Sequence, residues 1–473
     1  MATTHRTAIV WFRRDLRLSD HQALNHAAAH ADEVLPLYVL STWKKQHDWT
    51  GPPRQKFLCG CLKALDANLR HHDSRLIVRS GPAVDVILKL VQETGADLVC
   101  YHRDPDPFGR AVESKLESKL AEIGVASKAF TDHVLHGPEE VLTKSGDPYR
   151  VYTPYSRNWL ELDKPRPLSG EPDFKTPDKP TSEPLPDLSH WGLEDDGCDI
   201  VEPGERAAHK RMLDWINRPA ALHGYADRRN IPAKPTTSRL SQDLRYGLVS
   251  IRELYQRCEE AMQEVPDSSA RKSIHTFIKE LAWREFYMAV LHHFPEVLDL
   301  EFNPDYRRLP WGTDEALLGK WQRGETGFPI VDAGMRELLA TGFMHNRVRM
   351  ITAMFLTKDL RIHWRLGESW FMQQLVDGEI ASNNGGWQWS AGTGADAAPY
   401  FRIQNPWTQT KSYDPEATYI KRWIPELKDV TAGKLCQAPA TRGERLAKDY
   451  PPPMVDHAVE RQTTLQWFRD HKA

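Results

Sequence analysis

Short apolar runs rich in β-forming residues alternate with segments of helical length through the first hundred residues of the chain. The runs cover residues 7–12 (TAIVWF), 34–40 (VLPLYVL), 75–80 (RLIVRS) and 97–102 (DLVCYH), and the helical segments include ALNHAAAHAD and VDVILKLVQE. Such alternation indicates a parallel sheet with helices on both faces. We therefore predict a Rossmann-like α/β domain over residues 1–130. Its first strand–helix junction, FRRDLRLSDH, lacks G-x-G-x-x-G, so a nicotinamide dinucleotide is not indicated.

The rest of the chain divides into a proline-rich connection and a helical region. Residues 164–187, KPRPLSGEPDFKTPDKPTSEPLPD, keep no periodic apolar pattern, which predicts an extended surface segment within a linker over residues 131–204. Helical periodicity then persists in runs at 206–218, 248–264, 271–294, 329–341, 344–360 and 367–376. Residues 205–473 are therefore predicted to form an all-α domain whose loops carry the unusual residues.

Composition excludes several classes of protein. The 473 residues are 40% apolar and 27% charged, without a signal peptide or eighteen consecutive apolar residues, so we expect a soluble, cytoplasmic protein with no membrane association. The six cysteines are scattered, with no Cys-x-x-Cys pair and no histidines at zinc spacing, which favours reduced thiols and no metal site. A formal net charge of −3 restricts nucleic-acid binding to a local patch.

The most unusual stretch of the chain covers residues 377–406, DGEIASNNGGWQWSAGTGADAAPYFRIQNP. Its glycines allow the backbone to pass close to a flat ligand. Asn383 and Asn384 offer amide groups to a ring edge, and Trp387 and Trp389 suit stacking, electron transfer or packing. These residues alone leave two interpretations open: a ligand-binding loop, and a structural loop with core tryptophans.

Two helical segments combine polar and apolar residues on one face. The KELAWREFY segment carries Glu280, Trp283, Arg284 and Tyr287 at i, i+3, i+4 and i+7. That spacing is typical of core, but the two charges favour a cavity for a polar aromatic ligand. In GFMHNRVRMITAMF, Asn346, Arg349 and Met350 share a face.

Basic residues and hydroxyls give two further candidate sites. Residues 336–365 include two acids and six basic residues. The basic residues are Arg336, Arg347, Arg349, Lys358, Arg361 and Arg365. They indicate either a solvated surface or a phosphate-facing patch. The TTSRLS run at 236–241 suits either a helix cap or, with Arg239, a diphosphate site.

In their order along the chain, five motifs resemble the class I cyclobutane pyrimidine dimer photolyases of the photolyase/cryptochrome family: WFRRDLRL, TSRLS, WREFY, TGFMHNRVRMITAMFL and DGEIASNNGGWQW. The resemblance covers most of the chain and implies FAD in the helical domain and an antenna chromophore in the α/β domain. It implies light-driven electron transfer from reduced FAD to a dimer flipped out of UV-damaged DNA. We expect a lyase that acts as a monomer without an obligate protein partner.

The resemblance also assigns roles to individual residues. The FAD contacts that it implies are Tyr225, Thr237, Ser238, Arg239, Leu240, Ser241, Arg349, Asp377, Glu379 and Asn383. Among these, Asn383 is expected at the flavin N5, and Arg349 and Asp377 are expected to pair beside the ring. The lesion contacts that it implies are Glu280, Trp283, Asn346, Arg347, Met350 and Trp389, the last of them packing on the adenine or lesion side. Trp387, Trp364 and Trp311 match a relay that carries electrons to oxidised flavin, with Trp311 outermost.

The sequence departs from the family pattern at several positions. Glu379 replaces the usual aspartate after Asp-Gly, and Gln404 replaces a common phenylalanine. Phe108 and Gly109 stand where folate-binding members carry Asn-Glu, so we expect 8-hydroxy-deazaflavin as the antenna rather than methenyltetrahydrofolate, with no antenna as a further alternative.

Other functions remain to be weighed against dimer repair. A cryptochrome photoreceptor without repair activity is the main alternative, but Asn346 and Met350 favour repair because the receptor branch tends to alter these positions. Repair of (6-4) photoproducts implies a different histidine arrangement in TGFMHNR. A nucleotide-dependent ligase or pyrophosphatase would leave the helical half unexplained.

Overall fold

The computed structural model describes residues 4–45, 47–441 and 443–471. Its sheet has five parallel strands in the order β3-β2-β1-β4-β5: β1 (His5–Phe12), β2 (Ala31–Leu40), β3 (Ile77–Ser80), β4 (Leu98–His102) and β5 (Ala126–Phe130). The predicted parallel α/β domain is confirmed. β5 was not predicted, because its sequence ASKAF lies at an exposed edge and carries no apolar run.

Helices cover both faces of this sheet: α1 (Gln22–His30), α2 (Pro52–Arg70), α3 (Ala83–Thr94) and α4 (Pro107–Glu122). The β1 side chains alternate between two cores, with Val10 and Phe12 on one face and Ile9 and Trp11 on the other. Burial on both faces explains why the strands are apolar throughout instead of alternating with polar residues.

The linker is partly ordered by contacts with both domains. It contains α5 (Tyr152–Glu161), whose buried Trp159 donates a hydrogen bond from Nε1 to Glu285 at 2.6 Å. Residues 163–187 form neither helix nor strand, as their prolines predict. They follow the sheet, where the amide of Val34 donates to the carbonyl of Lys175 at 2.8 Å.

The C-terminal region is helical, as predicted. Its helices are α6 (Glu205–Ile216), α7 (Pro219–Leu222), α8 (Tyr225–Arg228), α9 (Ser241–Arg245), α10 (Ile251–Glu264), α11 (Ser268–His293), α12 (Glu315–Arg323), α13 (Pro329–Thr341), α14 (Asn346–Met354), α15 (Trp364–Gln374), α16 (Ile380–Ala391), α17 (Pro406–Tyr413), α18 (Thr418–Trp423), α19 (Ala432–Leu435) and α20 (His457–His471). A π-helical turn, Phe355–Asp359, continues α14. The last strand ends at Phe130 and α6 begins at Glu205, and on this basis we propose the division into residues 1–130, 131–204 and 205–473.

Buried ion pairs join the sheet domain to the helical region. Arg17 contacts Asp132 at 2.6 Å and donates to the carbonyl of Gly247 at 2.9 Å. Arg252 on α10 pairs with Asp20 at 2.8 Å and with Asp132 at 2.6 Å. Because each buried charge has a partner, these contacts fix the two domains in one relative orientation. No helix in the described part of the chain is long and apolar enough to cross a membrane.

Candidate functional site

The glycine-rich stretch that begins at residue 377 contains a helix, α16, and the prediction that it forms a loop is wrong. α16 ends at Gly392, whose φ of 81° lies in the left-handed region. A Cβ added at Gly385 would clash with the Tyr287 ring, so this glycine permits close packing of α16 on α11. A Cβ added at Gly386 would meet nothing within 4 Å outside its own stretch of helix. That Gly386 leaves room for a flat ligand stays a prediction.

Two amide side chains of α16 are oriented by α15. Asn383 Nδ2 donates to the backbone carbonyl of Glu368 at 3.1 Å, and Asn384 Nδ2 donates to the Glu368 side chain at 2.9 Å. Burial raises the pKa of Glu368 to about 8, so its carboxyl group is protonated at neutral pH. Asn384 is thus held by an uncharged side chain, and Asn383 by a backbone carbonyl.

An ion pair and several unpaired polar atoms lie beside α16. Arg349 Nη2 contacts Asp377 at 2.8 Å, as expected for these two residues. The guanidinium of Arg239 lies 4.0 Å over the Phe343 ring, and that of Arg349 lies 5.3 Å over the same ring. Within the described residues, Asp377 Oδ1, Arg239 Nε and His345 Nε2 are buried without hydrogen-bond partners. Because buried polar atoms are normally paired, these three fit the polar groups of a cofactor.

The remaining residues expected to hold the cofactor lie around α8 and α9. Tyr225 begins α8 and is buried, as is Leu240. Thr237 and Ser238 are half-buried, and Ser241 is exposed at the start of α9. None of these three hydroxyl-bearing residues is fully buried, which is compatible with binding of a diphosphate.

A stacked aromatic pair lies on α11. Trp283 and Tyr152 have ring centroids 3.6 Å apart and an interplanar angle of 9°. Tyr152 Oη donates to the carbonyl of Lys279 at 2.7 Å, which fixes the tyrosine ring against the helix. Tyr287, one turn beyond Trp283, contacts the Trp283 ring at 5.5 Å and also touches Gly385 of α16. The aromatic face of α11 is therefore directly adjacent to α16.

The charged residues of this helix face separate. Glu280 forms an ion pair with Arg229. Burial raises the pKa of Glu280, whereas the charge of Arg229 lowers it. Arg284 donates to the backbone carbonyls of His133 at 2.6 Å and Leu244 at 3.4 Å. Its place in a ligand cavity stays a prediction.

The predicted lesion residues of α14 surround its first turns. Asn346 is exposed, and Met350 is half-buried. Arg347 Nη2 donates to Asn230 at 2.8 Å. Burial lowers the pKa of Arg347, and the nearby charge of Arg229 lowers it further. Arg229 is thus paired with Glu280 of α11 and close enough to Arg347 of α14 to affect its pKa. That the two groups of predicted lesion residues form one site stays a prediction.

The six basic residues between 336 and 365 do not form a common phosphate-facing patch. Arg336 pairs with Glu426 at 2.8 Å, and Arg365 pairs with Asp299 at 2.9 Å. Lys358 is only 1% exposed. Helical geometry turns these side chains in different directions, which the count of charges along the sequence does not reveal.

The three tryptophans predicted to relay electrons lie on adjoining elements. Trp387 on α16 and Trp364 on α15 are buried, and Trp311 is half-buried. The indole N–H groups of Trp364 and Trp311 donate to the same oxygen, Glu301 Oε1, at 3.1 Å and 3.0 Å. Trp389 is half-buried on α16.

Glu379 faces the carboxyl end of the sheet. Its carboxylate accepts hydrogen bonds from Arg14 Nη1 at 2.9 Å and 3.1 Å and lies 3.7 Å from Arg245 Nε. These cations hold the pKa of Glu379 well below its usual range. Arg14 also pairs with Asp104 and Asp106. The carboxylate of Glu379 is therefore already bound by arginines. Its expected contact with the cofactor stays a prediction.

The segment with Phe108 and Gly109, on which the prediction of the antenna chromophore rests, forms the start of α4. Phe108 is 68% exposed. Asp106 caps the helix by accepting a hydrogen bond from the amide of Gly109 at 2.8 Å, and a Cβ at Gly109 would clash with Asp104. Close packing therefore accounts for the glycine without a chromophore. The identity of the antenna stays a prediction.

Three buried residues at the carboxyl end of the sheet have the composition of a metal site. His102 Nδ1 lies 2.6 Å and His21 Nε2 lies 3.0 Å from Asp15 Oδ2. The amide of Leu24 donates to His21 Nδ1, and that of Ala23 donates to His102 Nε2. Three of the four ring nitrogens form hydrogen bonds, and the fourth, His21 Nε2, is within ion-pair distance of Asp15, so contacts within the protein explain why these three residues lie together at the end of β1.

Sequence reasoning missed four residues that touch the predicted ones: Tyr152, Arg229, Glu301 and Glu368. Each belongs to a segment outside the motifs that were recognised. The aromatic run YRVYTPYSRNW was a signal for Tyr152, because such a run is unusual in a linker.

Comparison with known proteins places this geometry in a family. The DNA photolyase model matches residues 8–177, and the model for the FAD binding domain of DNA photolyase matches residues 277–470. Deoxyribodipyrimidine photo-lyases of Synechococcus sp. and Agrobacterium fabrum are 40% and 41% identical to the chain, covering 98% and 97% of it and 97% and 96% of their own lengths. The chain belongs to the DNA photolyase family.

Solved structures agree with this assignment. A bacterial class III photolyase from Agrobacterium tumefaciens has a TM-score of 0.91 at 39% identity, covering 100% of this chain and 98% of its own. A Synechocystis cryptochrome has a TM-score of 0.87 at 30% identity, covering 98% and 100%. The expected FAD-binding helical domain is confirmed. Assignment to class I stays a prediction, because the first of these relatives is described as class III.

Proposed function

We propose that this protein repairs cyclobutane pyrimidine dimers in UV-damaged DNA in a light-driven reaction, as a deoxyribodipyrimidine photo-lyase. One observation carries the proposal: the Trp283–Tyr152 stack and Glu280 lie on the face of α11 that packs on α16 through Tyr287 and Gly385. A flat lesion bound on α11 would therefore lie close to a ring bound beside α16. Electron transfer requires that proximity.

The chain offers a fitting environment for FAD beside α16. Reduced FAD, when bound, supplies the photoexcited electron donor. Arg349 and Asp377 present a charge and an unpaired oxygen to the ring edge. Asn383, which the backbone carbonyl of Glu368 holds in place, would face N5 and favour the reduced anionic form. The hydroxyls at 237–241, with Arg239, would bind the diphosphate.

Trp283 and Glu280 recognise the lesion. One face of the Trp283 ring is stacked on Tyr152, which leaves the other face for a pyrimidine flipped out of the duplex. Glu280 hydrogen-bonds the pyrimidine edge once its ion pair with Arg229 rearranges. Asn346 and Met350 line the opposite wall, and Arg347 contacts the DNA backbone.

Trp387, Trp364 and Trp311 return an oxidised cofactor to its active state. Trp387 would give the first electron to the oxidised cofactor, and the electron vacancy would pass outward to Trp364 and then to Trp311. Trp311 is half-buried, so its oxidised ring would be open to reduction by a thiol from solution. This relay is separate from repair, which uses cofactor that is already reduced.

A second function to test is that of a photoreceptor, because the Synechocystis cryptochrome shares the fold. Asn346 and Met350 favour repair over that alternative. For the antenna we propose 8-hydroxy-deazaflavin at the carboxyl edge of the sheet, near Phe108. A photolyase from Sulfolobus tokodaii is described as carrying two FAD molecules, with the implication of a novel light-harvesting cofactor, so a second flavin is a competing occupant.

The deciding experiment measures repair by purified, pre-reduced protein. Under blue light, DNA containing a cyclobutane thymine dimer should be restored, and DNA containing a (6-4) photoproduct should remain unchanged. Absorption spectra and chromatography of released chromophores identify the cofactors, and light scattering tests the expected monomer. Trp283→Leu should lose dimer binding while keeping its FAD. Protein that contains FAD but restores neither lesion would contradict the proposal and support the photoreceptor.

A further inference from the structure

A single carboxylate oxygen joins the two outer tryptophans of the relay. Glu301 Oε1 accepts the indole N–H of Trp364 at 3.1 Å and that of Trp311 at 3.0 Å. Glu301 is only 6% exposed and lies in the loop between Leu298 and Pro304. It belongs to none of the motifs that identify the family.

The inner tryptophan has no such partner. Trp387 Nε1 is buried without a hydrogen-bond acceptor among the described residues. Its ring packs against Phe371 and Trp321, with centroid distances of 5.0 Å and 5.9 Å. The three indoles that share one role therefore differ in their electrostatic environment: the inner one is surrounded by apolar rings, and the outer two touch an anion.

Oxidation of an indole makes this difference important. Removing one electron leaves a positive charge on the ring, and an N–H bond of a cation donates more strongly than that of a neutral ring. A carboxylate in contact stabilises the cation further, and its effect is strong because it is buried. A positive charge on Trp364 or Trp311 is therefore favoured over one on Trp387.

Among the residues that the structure describes, no cation forms an ion pair with the Glu301 carboxylate. Arg307 donates to the backbone carbonyl of Glu301 at 2.9 Å, and its own ion pair is with Glu296. The His363 ring lies between the two outer tryptophans, 5.9 Å from each. Burial lowers the pKa of His363, so this ring is uncharged at neutral pH.

We infer that Glu301 gives the relay its outward direction, as an electrostatic positioning residue. The inference rests on the proposed role of the three tryptophans. Trp387 would give one electron to light-excited oxidised FAD, Trp364 would pass one electron to Trp387, and Trp311 would pass one to Trp364. The positive charge is then held on the indole beside Glu301 until an external thiol supplies one electron to Trp311. By holding the charge there, Glu301 slows its return to Trp387.

The test is the isosteric change Glu301→Gln in protein loaded with oxidised FAD. After a light flash, transient absorption should show a tryptophan radical whose lifetime is about tenfold shorter than in the unchanged protein. That ratio corresponds to replacing a charge-assisted hydrogen bond by a neutral one. Glu301→Asp, which keeps the charge, should recover part of the lifetime. Repair by pre-reduced protein should not change, since it does not use the relay.

Two controls separate the outcomes. Glu325→Gln, at an exposed ion pair with Arg323, should keep the full radical lifetime. Trp364→Phe should abolish the long-lived radical. If Trp364→Phe does so while Glu301→Gln keeps the normal lifetime, the inference is wrong and the relay stands. If Trp364→Phe leaves the radical unchanged, the relay assignment fails and the inference fails with it.

Discussion

Replacing Glu368 by glutamine should stabilise the protein more at pH 7.5 than at pH 5.5. Glu368 is 1% exposed, and burial raises its pKa from 4.5 to about 8. Between those values the folded state keeps a proton that the unfolded state has released. The stability contributed by this acid is complete below about pH 4.5 and is lost as the pH rises through about 8. Glutamine is neutral at every pH, so its contribution to stability does not change with pH.

The size of the effect follows from the pKa difference. Each pH unit in this interval costs the unchanged protein about 1.4 kcal/mol, so the advantage of the variant should grow by about 2–3 kcal/mol between pH 5.5 and pH 7.5. Urea unfolding of both proteins at both pH values measures it. The amide oxygen of glutamine can still accept from Asn384, so the fold is retained, and Glu325→Gln serves as an exposed control. An advantage that is equal at both pH values would refute a neutral Glu368.

Four further variants test the site and its surroundings. Trp387→Phe should slow photoreduction of oxidised flavin and leave repair by pre-reduced protein near normal; equal loss of both would contradict the relay. Glu280→Ala should lower repair per bound dimer more than dimer affinity, and the reverse result would make Glu280 a binding residue only. Tyr152→Leu removes a stacking contact of about 0.5–1.5 kcal/mol, so dimer affinity should fall about two- to tenfold, whereas unchanged affinity would exclude support of Trp283. Burial lowers the pKa of Lys358 to about 7, so Lys358→Met should stabilise the protein more at pH 6 than at pH 9 in thermal unfolding, and a uniform gain would contradict this.

The sequence was sufficient to predict the fold where one local pattern decides it. β1 to β4 are buried on both faces and form apolar runs, and the long helices keep their periodicity. β5 escaped detection because it lies at an exposed edge. The glycines at 385 and 386 suggested a loop, but Tyr287 packs where a side chain would otherwise stand. Tertiary packing therefore outweighs the poor helix propensity of glycine.

Site residues could be predicted where the family motifs carry them, as with the Arg349–Asp377 pair. Tyr152 and Glu301 could not, because they lie in segments without a recognised motif and their roles depend on partners 131 and at least 10 residues away along the chain. Burial was equally hidden from the sequence. It separates Lys358 from the other basic residues and keeps Glu368 protonated.

The charged side chains near the inner tryptophan and the expected cofactor residues differ from those near the two outer tryptophans. At the inner end, Glu368 is protonated and burial lowers the pKa of His345 to about 4, so both side chains are neutral at pH 7. Arg349 and Asp377 balance each other there. At the outer end, Glu301 adds a negative charge where a tryptophan becomes positive. With a protonated Glu368 beside α16 and the Glu301 carboxylate in contact with the outer tryptophans, we expect a positive charge created at Trp387 to move outward, as the proposed relay requires.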